Sequence, residues 1–276
     1  MKRETVPNEI IGALSRALSS TQTKANIHTL CMRAGLAPID VPSKVSSANV
    51  ANKYVATINA NTAPWAVANA LTTLILDDES SSRGGEEAKK SLRQALAKFG
   101  RACIGGRLVE NEADPTVESL DDRLRTDGMK TVREELGRAM ENVDADPAAS
   151  LTAASSLLEA LFKTIIDEQR LRMPNDKSIS SLWGTVQKNL NLSADGIQDD
   201  GLKQMLGGLT SIVRGVGTIR THAGSAHGRS DSDGKPEGRH ARLAIGSATA
   251  LALFVIEHYA ERKKSMSDID DFDEGF

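Results

Sequence analysis

The sequence predicts an all-α protein of two domains. Three observations carry this. Ala- and Leu-rich composition favours helices, and aromatic residues are only 3% of the chain, so any core must be built mainly from Ala, Leu, Ile and Val. Apolar residues recur three or four positions apart in segment after segment. The segments tend to open at a proline and close at a glycine, as helices do. A length of 276 residues suits two domains.

Taken in order, residues 7–78 read as four short helices. Pro7 opens the first, with Ile10, Ile11, Leu14 and Leu18 along one side. The second carries Ile27, Leu30 and Cys31 and stops at Gly35. The third holds Val50, Tyr54, Val55 and Ile58. Thr62 and Pro64 start the fourth, which contains Val67, Leu71, Leu74 and Ile75. His28 is read as a surface or packing residue. SSSRGG at 80–85 is a hinge by composition, and a helix over 86–99 ends at Gly100. CIGGRLVE, 103–110, reads as a small β-hairpin, and a lone Gly105-Gly106 pair is no phosphate loop. Residues 1–110 are thus expected to form a helical N-terminal domain. The domain boundary is expected between 110 and 128, with a helix near 129–142 after it.

The second domain is expected over 129–264. Pro147 after Asp146 starts a long helix, with Leu151, Ala154, Leu158, Leu161, Phe162 and Ile165 on one face. Glu159 flanks that face and Lys163 follows one turn later, either as a surface ion pair or as part of a site. A short helix surrounds Trp183 and Val186. The last helix presents Ala244, Ala248, Leu251, Phe254 and Val255, with His240 and His258 on the same face. The acidic terminus, 265–276, is expected to be disordered.

Composition excludes several classes. A net charge of -3 gives no global attraction to nucleic acid, so a polyanion would need a local basic site. Two cysteines, Cys31 and Cys103, are too few for a disulfide framework or a zinc site. No signal peptide and no membrane-spanning run is visible, so a cytoplasmic location is expected. No cluster has metal-ligand spacing, and no metal or cofactor is expected.

The chemistry concentrates in the helix from about 202 to 222. At about 100° per residue, Met205, Leu206, Leu209, Ile212, Val213, Val216 and Ile219 share one apolar face. Arg220 falls on the middle of that face. A guanidinium is costly to bury alone, so it requires a carboxylate, a second subunit or an anionic ligand. His227 follows two turns later, with the alpha carbons roughly 10 Å apart if the helix persists. Histidine can move the protons of RNA cleavage and arginine can hold the phosphate. RNA supplies its own nucleophile, the 2′-hydroxyl, so this chemistry requires no metal. His222 points away from the apolar face.

Three ordered blocks, ADPAASLTAASSLLEALFKTIIDE, IRTHAGSAHGRS and RHARLAIGSATALALFVIE, resemble the C-terminal domain of bacterial abortive infection proteins. That domain is similar to the wider HEPN superfamily, whose signature is an Arg, four to six residues, then a His. The resemblance spans about residues 129–264. It implies a dimerising helical bundle with two Arg/His motifs at the interface, metal-independent endoribonuclease activity and a role in phage defence. Arg220 and His227 match the motif, and Gly228 completes a His-Gly pair. Thr221, Gly228, Arg229, Glu159, Lys163 and His240 are the accompanying supporting or RNA-binding candidates. Where the family commonly has Asn after the motif arginine, this chain has Thr221. The implied function is an RNA-cleaving toxin acting as a homodimer, with a phage-derived trigger or partner protein met through the N-terminal domain. Only analogy with two-part defence proteins gives that domain, residues 1–110, a sensor or regulatory role. The alternative is a non-catalytic dimerisation or nucleotide- or RNA-binding module that relays a signal.

Overall fold

The computed structural model describes residues 4–40, 42, 44–78, 83–110, 114–141, 143–192, 199–224 and 236–273, with the side chains of 83, 219–224 and 265–273 outside that description. The chain divides into two compact units, Met1–Ala113 and Asp114–Phe276. The regular structure of the described residues is helical apart from one two-stranded hairpin.

The first unit holds α1 (Asn8–Thr21), α2 (Lys24–Arg33), α3 (Ser47–Val55), a 3₁₀ turn (Ile58–Ala60), α4 (Pro64–Leu76) and α5 (Arg83–Ala97). Local chemistry sets the boundaries. The Thr23 and Ser46 hydroxyls accept from the amides of Asn26 and Asn49, capping α2 and α3. Gly35 has φ 89°, a left-handed value that closes α2 as expected. Ile10, Leu14, Leu18, Ile27, Tyr54, Leu71, Ile75 and Leu92 are fully buried in the core of this unit. The expected hairpin forms as β1 (Arg101–Ile104) and β2 (Arg107–Glu110), antiparallel, with Arg101 opposite Glu110 and Ile104 opposite Arg107. Gly105 and Gly106 have φ 59° and 73°, the two left-handed positions a two-residue hairpin turn needs. Helix α4 anchors the hairpin: Thr73 donates to the Gly106 carbonyl at 2.8 Å, and the Leu108 amide donates to Asn69 at 2.9 Å.

The second unit holds α6 (Pro115–Thr126), α7 (Lys130–Glu141), α8 (Pro147–Glu168), α9 (Ile179–Asn189), α10 (Asp200–Gly224) and α11 (Gly238–Asp273). Helix α8 lies in the middle, touched by α7, α9, α10 and α11, while α6 packs on α7 and α11. Asp146 caps α8 by accepting from the Ala149 amide, with Pro147 in the first turn. All six residues expected on its apolar face are buried, and so are Ser150, Ala153, Ser155, Leu157 and Ile166 on other sides. Helix α8 and residues 238–264 of α11 are long and apolar enough to cross a membrane by length and composition alone. Both pack against other helices of the bundle.

Four elements differ from the sequence expectation: α3 stops at Val55 and leaves Ile58 to a 3₁₀ turn, α5 starts at Arg83 inside the stretch read as a hinge, and α6 and α11 depart as follows. Helix α6 occupies what reads as a polar linker. Asp114 caps it, and Val117, Leu120 and Leu124 bury one side. Asp121 is buried too, and Arg133 of α7 pairs with both of its oxygens, at 2.8 and 3.2 Å. Helix α11 continues to Asp273 instead of ending near 264. No proline occurs between Gly238 and Asp273 to break it.

Candidate functional site

Helix α10 carries the first residue of the motif. Asp199 starts it by accepting from the Leu202 amide at 2.7 Å. Leu206, Val213 and Val216 are buried, and Leu209 and Ile212 are half-buried. The Trp183 indole donates to Thr210 at 3.1 Å, tying α9 to α10, and Trp183 in turn packs on Phe162 of α8 with ring centroids 5.3 Å apart. Near the C-terminal end, Gly217 lies against Ile179. A methyl group on Gly217 would stand 2.5 Å from Ile179 Cγ2. The backbone remains helical through Arg220, one turn beyond Val216 and two beyond Val213. The side chains of Arg220, Thr221 and His222 are outside the described residues, and His227, Gly228 and Arg229 lie outside them entirely.

The other candidates separate. Glu159 and Lys163 form the i,i+4 ion pair that is one of the two expectations, at 3.6 Å. His240 is exposed, not on the buried face of α11. It sits in the first turn, where its Nδ1 accepts from the Glu237 amide at 3.0 Å, a capping role. The buried stripe of α11 is instead Ala241, Ala244, Ile245, Ala248, Leu251, Ala252, Val255, Ile256 and Tyr259. His258 is half-buried, and its Nε2 donates to the Leu190 carbonyl, 3.0 Å away. The Tyr259 hydroxyl donates to Glu168 at 2.7 Å, and burial raises its pKa above the ordinary phenol value. In the first unit, the His28 ring meets the Tyr54 hydroxyl at 2.6 Å, consistent with a packing residue. Among the described residues, no group of three or more His, Cys, Asp or Glu side chains is arranged to hold a metal ion.

Two surface features of the second unit have no counterpart in the sequence pattern. The first is an apolar groove of about 660 Å³ between α10 and α11. Met205 and Leu243 on its walls are 70% and 71% exposed, and Leu202 and Phe254 are exposed as well. Burial is the sequence expectation for Met205 and Phe254. Helical spacing identifies an apolar face but not whether another helix covers it. The second is a polar groove of about 710 Å³ formed by the α8–α9 loop, the outer side of α9 and the C-terminal part of α11. Arg172, Lys188 and Arg262 line it, and among the described residues no Asp or Glu does. No local signal could have revealed it, because its cations come from three distant stretches of chain.

Residues 130–259 match the model of the Abi_C family, a HEPN-like domain. No curated protein and no solved structure matches the chain.

Proposed function

We propose, from the HEPN-like domain in the C-terminal half, that this chain is an endoribonuclease of a bacterial abortive-infection system, cutting host or phage RNA. What supports the reading is the register of α10. The helix runs unbroken through Arg220, in line with buried Val213 and Val216, and His227 follows at motif spacing. In the proposed reaction the RNA 2′-hydroxyl attacks the adjacent phosphorus and the 5′-oxygen of the next nucleotide leaves. His227 takes or gives the proton, and Arg220 holds the phosphate and stabilises charge on its oxygens. The products are a 2′,3′-cyclic phosphate and a 5′-hydroxyl end. The nucleophile and its activation come from substrate and imidazole, so no metal enters the scheme.

The protein acts as a homodimer through the second unit. The exposed apolar side chains Met205 and Leu243 support this, since a groove walled by such residues favours a protein surface over water. The first unit receives the trigger, a phage-derived component or partner protein. The rival reading, a non-catalytic RNA-binding or dimerisation module, is favoured by Thr221 in place of the usual Asn and by the net charge of -3. Induced expression in bacteria separates the two. The toxin reading expects growth arrest and RNA fragmentation with wild type and neither with His227→Ala. Equal growth in both strains, with intact RNA, favours the module.

A further inference from the structure

We propose that the basic groove of the second unit binds the sugar–phosphate backbone of single-stranded RNA and feeds it to the end of α10 that carries the motif. The proposal rests on the RNA reading above and adds a substrate-binding site to it.

The charge arrangement is the first reason. Most described arginines and lysines of this unit have carboxylate partners: Arg123 with Asp127, Arg133 with Asp121, Arg138 with Glu135, Arg242 with Asp144. Arg172, Lys188 and Arg262 face one groove, and none of the three makes an ion pair with a described residue. Among the described residues, three cations without carboxylate partners converge on a concavity that no Asp or Glu lines, which raises the local positive potential despite the negative net charge. A carboxylate beside the groove is Asp176, which accepts from Ser178 and Ser181. Those bonds, from Ser178 first, hold its pKa below the ordinary value. Its charge therefore marks the Ser181 end, and the phosphates lie toward Lys188 and Arg262.

The chemistry of the lining is the second reason. Two guanidinium groups suit bidentate contacts to phosphate oxygens. Among the described residues no aromatic ring lines the groove, so the contacts it offers are to the sugar–phosphate backbone and not to stacked bases. The floor is open at Gly184, where an added methyl would meet nothing within 4 Å. Thr185 and Asn189 add polar atoms along the same side of α9, and the Asn189 Oδ1 is buried with no hydrogen-bond partner.

Position is the third reason. Ser181 lines the groove. Two residues earlier, Ile179 packs on Gly217, three residues before Arg220. Seven residues of helix separate Ser181 from Lys188, about 10 Å along α9. The groove thus runs along α9 with Lys188 at one end and, about 10 Å away, the turn that packs on α10 at the other.

The test is fluorescence anisotropy of a labelled single-stranded RNA on the full chain, over a range of salt concentrations. A triple variant, Arg172→Ala with Lys188→Ala and Arg262→Ala, is compared with wild type and with His227→Ala. Thermal melting checks that each variant folds. The groove predicts at least tenfold weaker binding by the triple variant. The slope of log affinity against log salt should fall by about 2, roughly 0.7 for each phosphate of a single strand that is no longer neutralised. His227→Ala should bind like wild type while losing cleavage. If the triple variant binds RNA with wild-type affinity and salt slope, the groove assignment is overturned, whatever the nuclease result. If groove-dependent binding is present but no protein cleaves RNA, the groove stands and the nuclease reading falls. Groove-dependent binding of inorganic phosphate or anionic vesicles, without binding of RNA, would also overturn the proposal.

Discussion

Gly217 of α10 and Ile179 of α9 touch so closely that any side chain at 217 would collide with the Ile179 methyl. This contact lies one turn before Arg220 on the same helix. Glycine in a helix interior costs about 1 kcal/mol relative to alanine, so its presence here has a steric explanation.

Gly217→Ala is therefore expected to destabilise the second unit by about 1–2 kcal/mol, the overpacking cost less the gain in helix propensity. RNA cleavage should fall further than stability does, because the end of α10 is displaced. Adding Ile179→Ala should make the two changes non-additive by at least about 0.5 kcal/mol. Chemical denaturation of the four proteins in the cycle measures this.

Met205→Glu and Leu243→Glu should give monomers. Both side chains are exposed in a single chain, so neither change should lower the melting temperature of that chain by more than a surface substitution does. Sedimentation or light scattering at micromolar concentration reads the result. Wild type that is already monomeric would contradict the dimer.

The Asp121–Arg133 pair predicts a large and asymmetric stability effect. Both side chains are almost wholly buried, at 7% and 12% exposure. Arg133→Ala leaves a buried carboxylate without its main partner and should cost about 3 kcal/mol. Replacing both by apolar residues of similar volume should cost less. Urea unfolding distinguishes the two variants.

The two thiols should differ in reactivity. Cys31 is fully buried and burial pushes its pKa up to about 12, whereas Cys103 is half-buried on β1. Because the thiolate is the reactive form, a thiol reagent at neutral pH should label at most one site in native protein and two after unfolding.

Much of the fold is legible in the sequence because single residues mark helix ends: Pro7, Gly35, Pro64, Gly100 and Pro147 all stand where the structure starts or stops a helix. Helix α6 is not, although Asp114-Pro115 repeats the Asp146-Pro147 start. The charged residues between Val117, Leu120 and Leu124 read as linker, and a buried carboxylate such as Asp121 looks like a surface residue until Arg133 is found beside it. Helical spacing puts His240 on the wrong side of α11, since in the first turn a side chain can serve the free backbone amides instead of the core. The exposure of Met205 and Leu243 is hidden because apolar spacing is the same for a core and an interface. The basic groove requires residues 172, 188 and 262 to meet, which is tertiary information.

If cleavage is present, it should survive EDTA and leave cyclic phosphate or 3′-phosphate ends. Activity abolished by EDTA and restored by magnesium would replace the proposed chemistry with a metal-assisted one. End-group analysis of cleaved RNA supplies an independent reading.

The most direct measurement is cleavage of total bacterial RNA by purified wild type, His227→Ala and Arg220→Ala, each beside its melting temperature. Loss of an imidazole acting as acid or base costs about a hundredfold to ten-thousandfold in rate. The account predicts that His227→Ala loses cleavage by that factor while it stays folded and still binds RNA. Arg220→Ala should lose cleavage as well and bind RNA more weakly. Folded variants that cleave at the wild-type rate would contradict it.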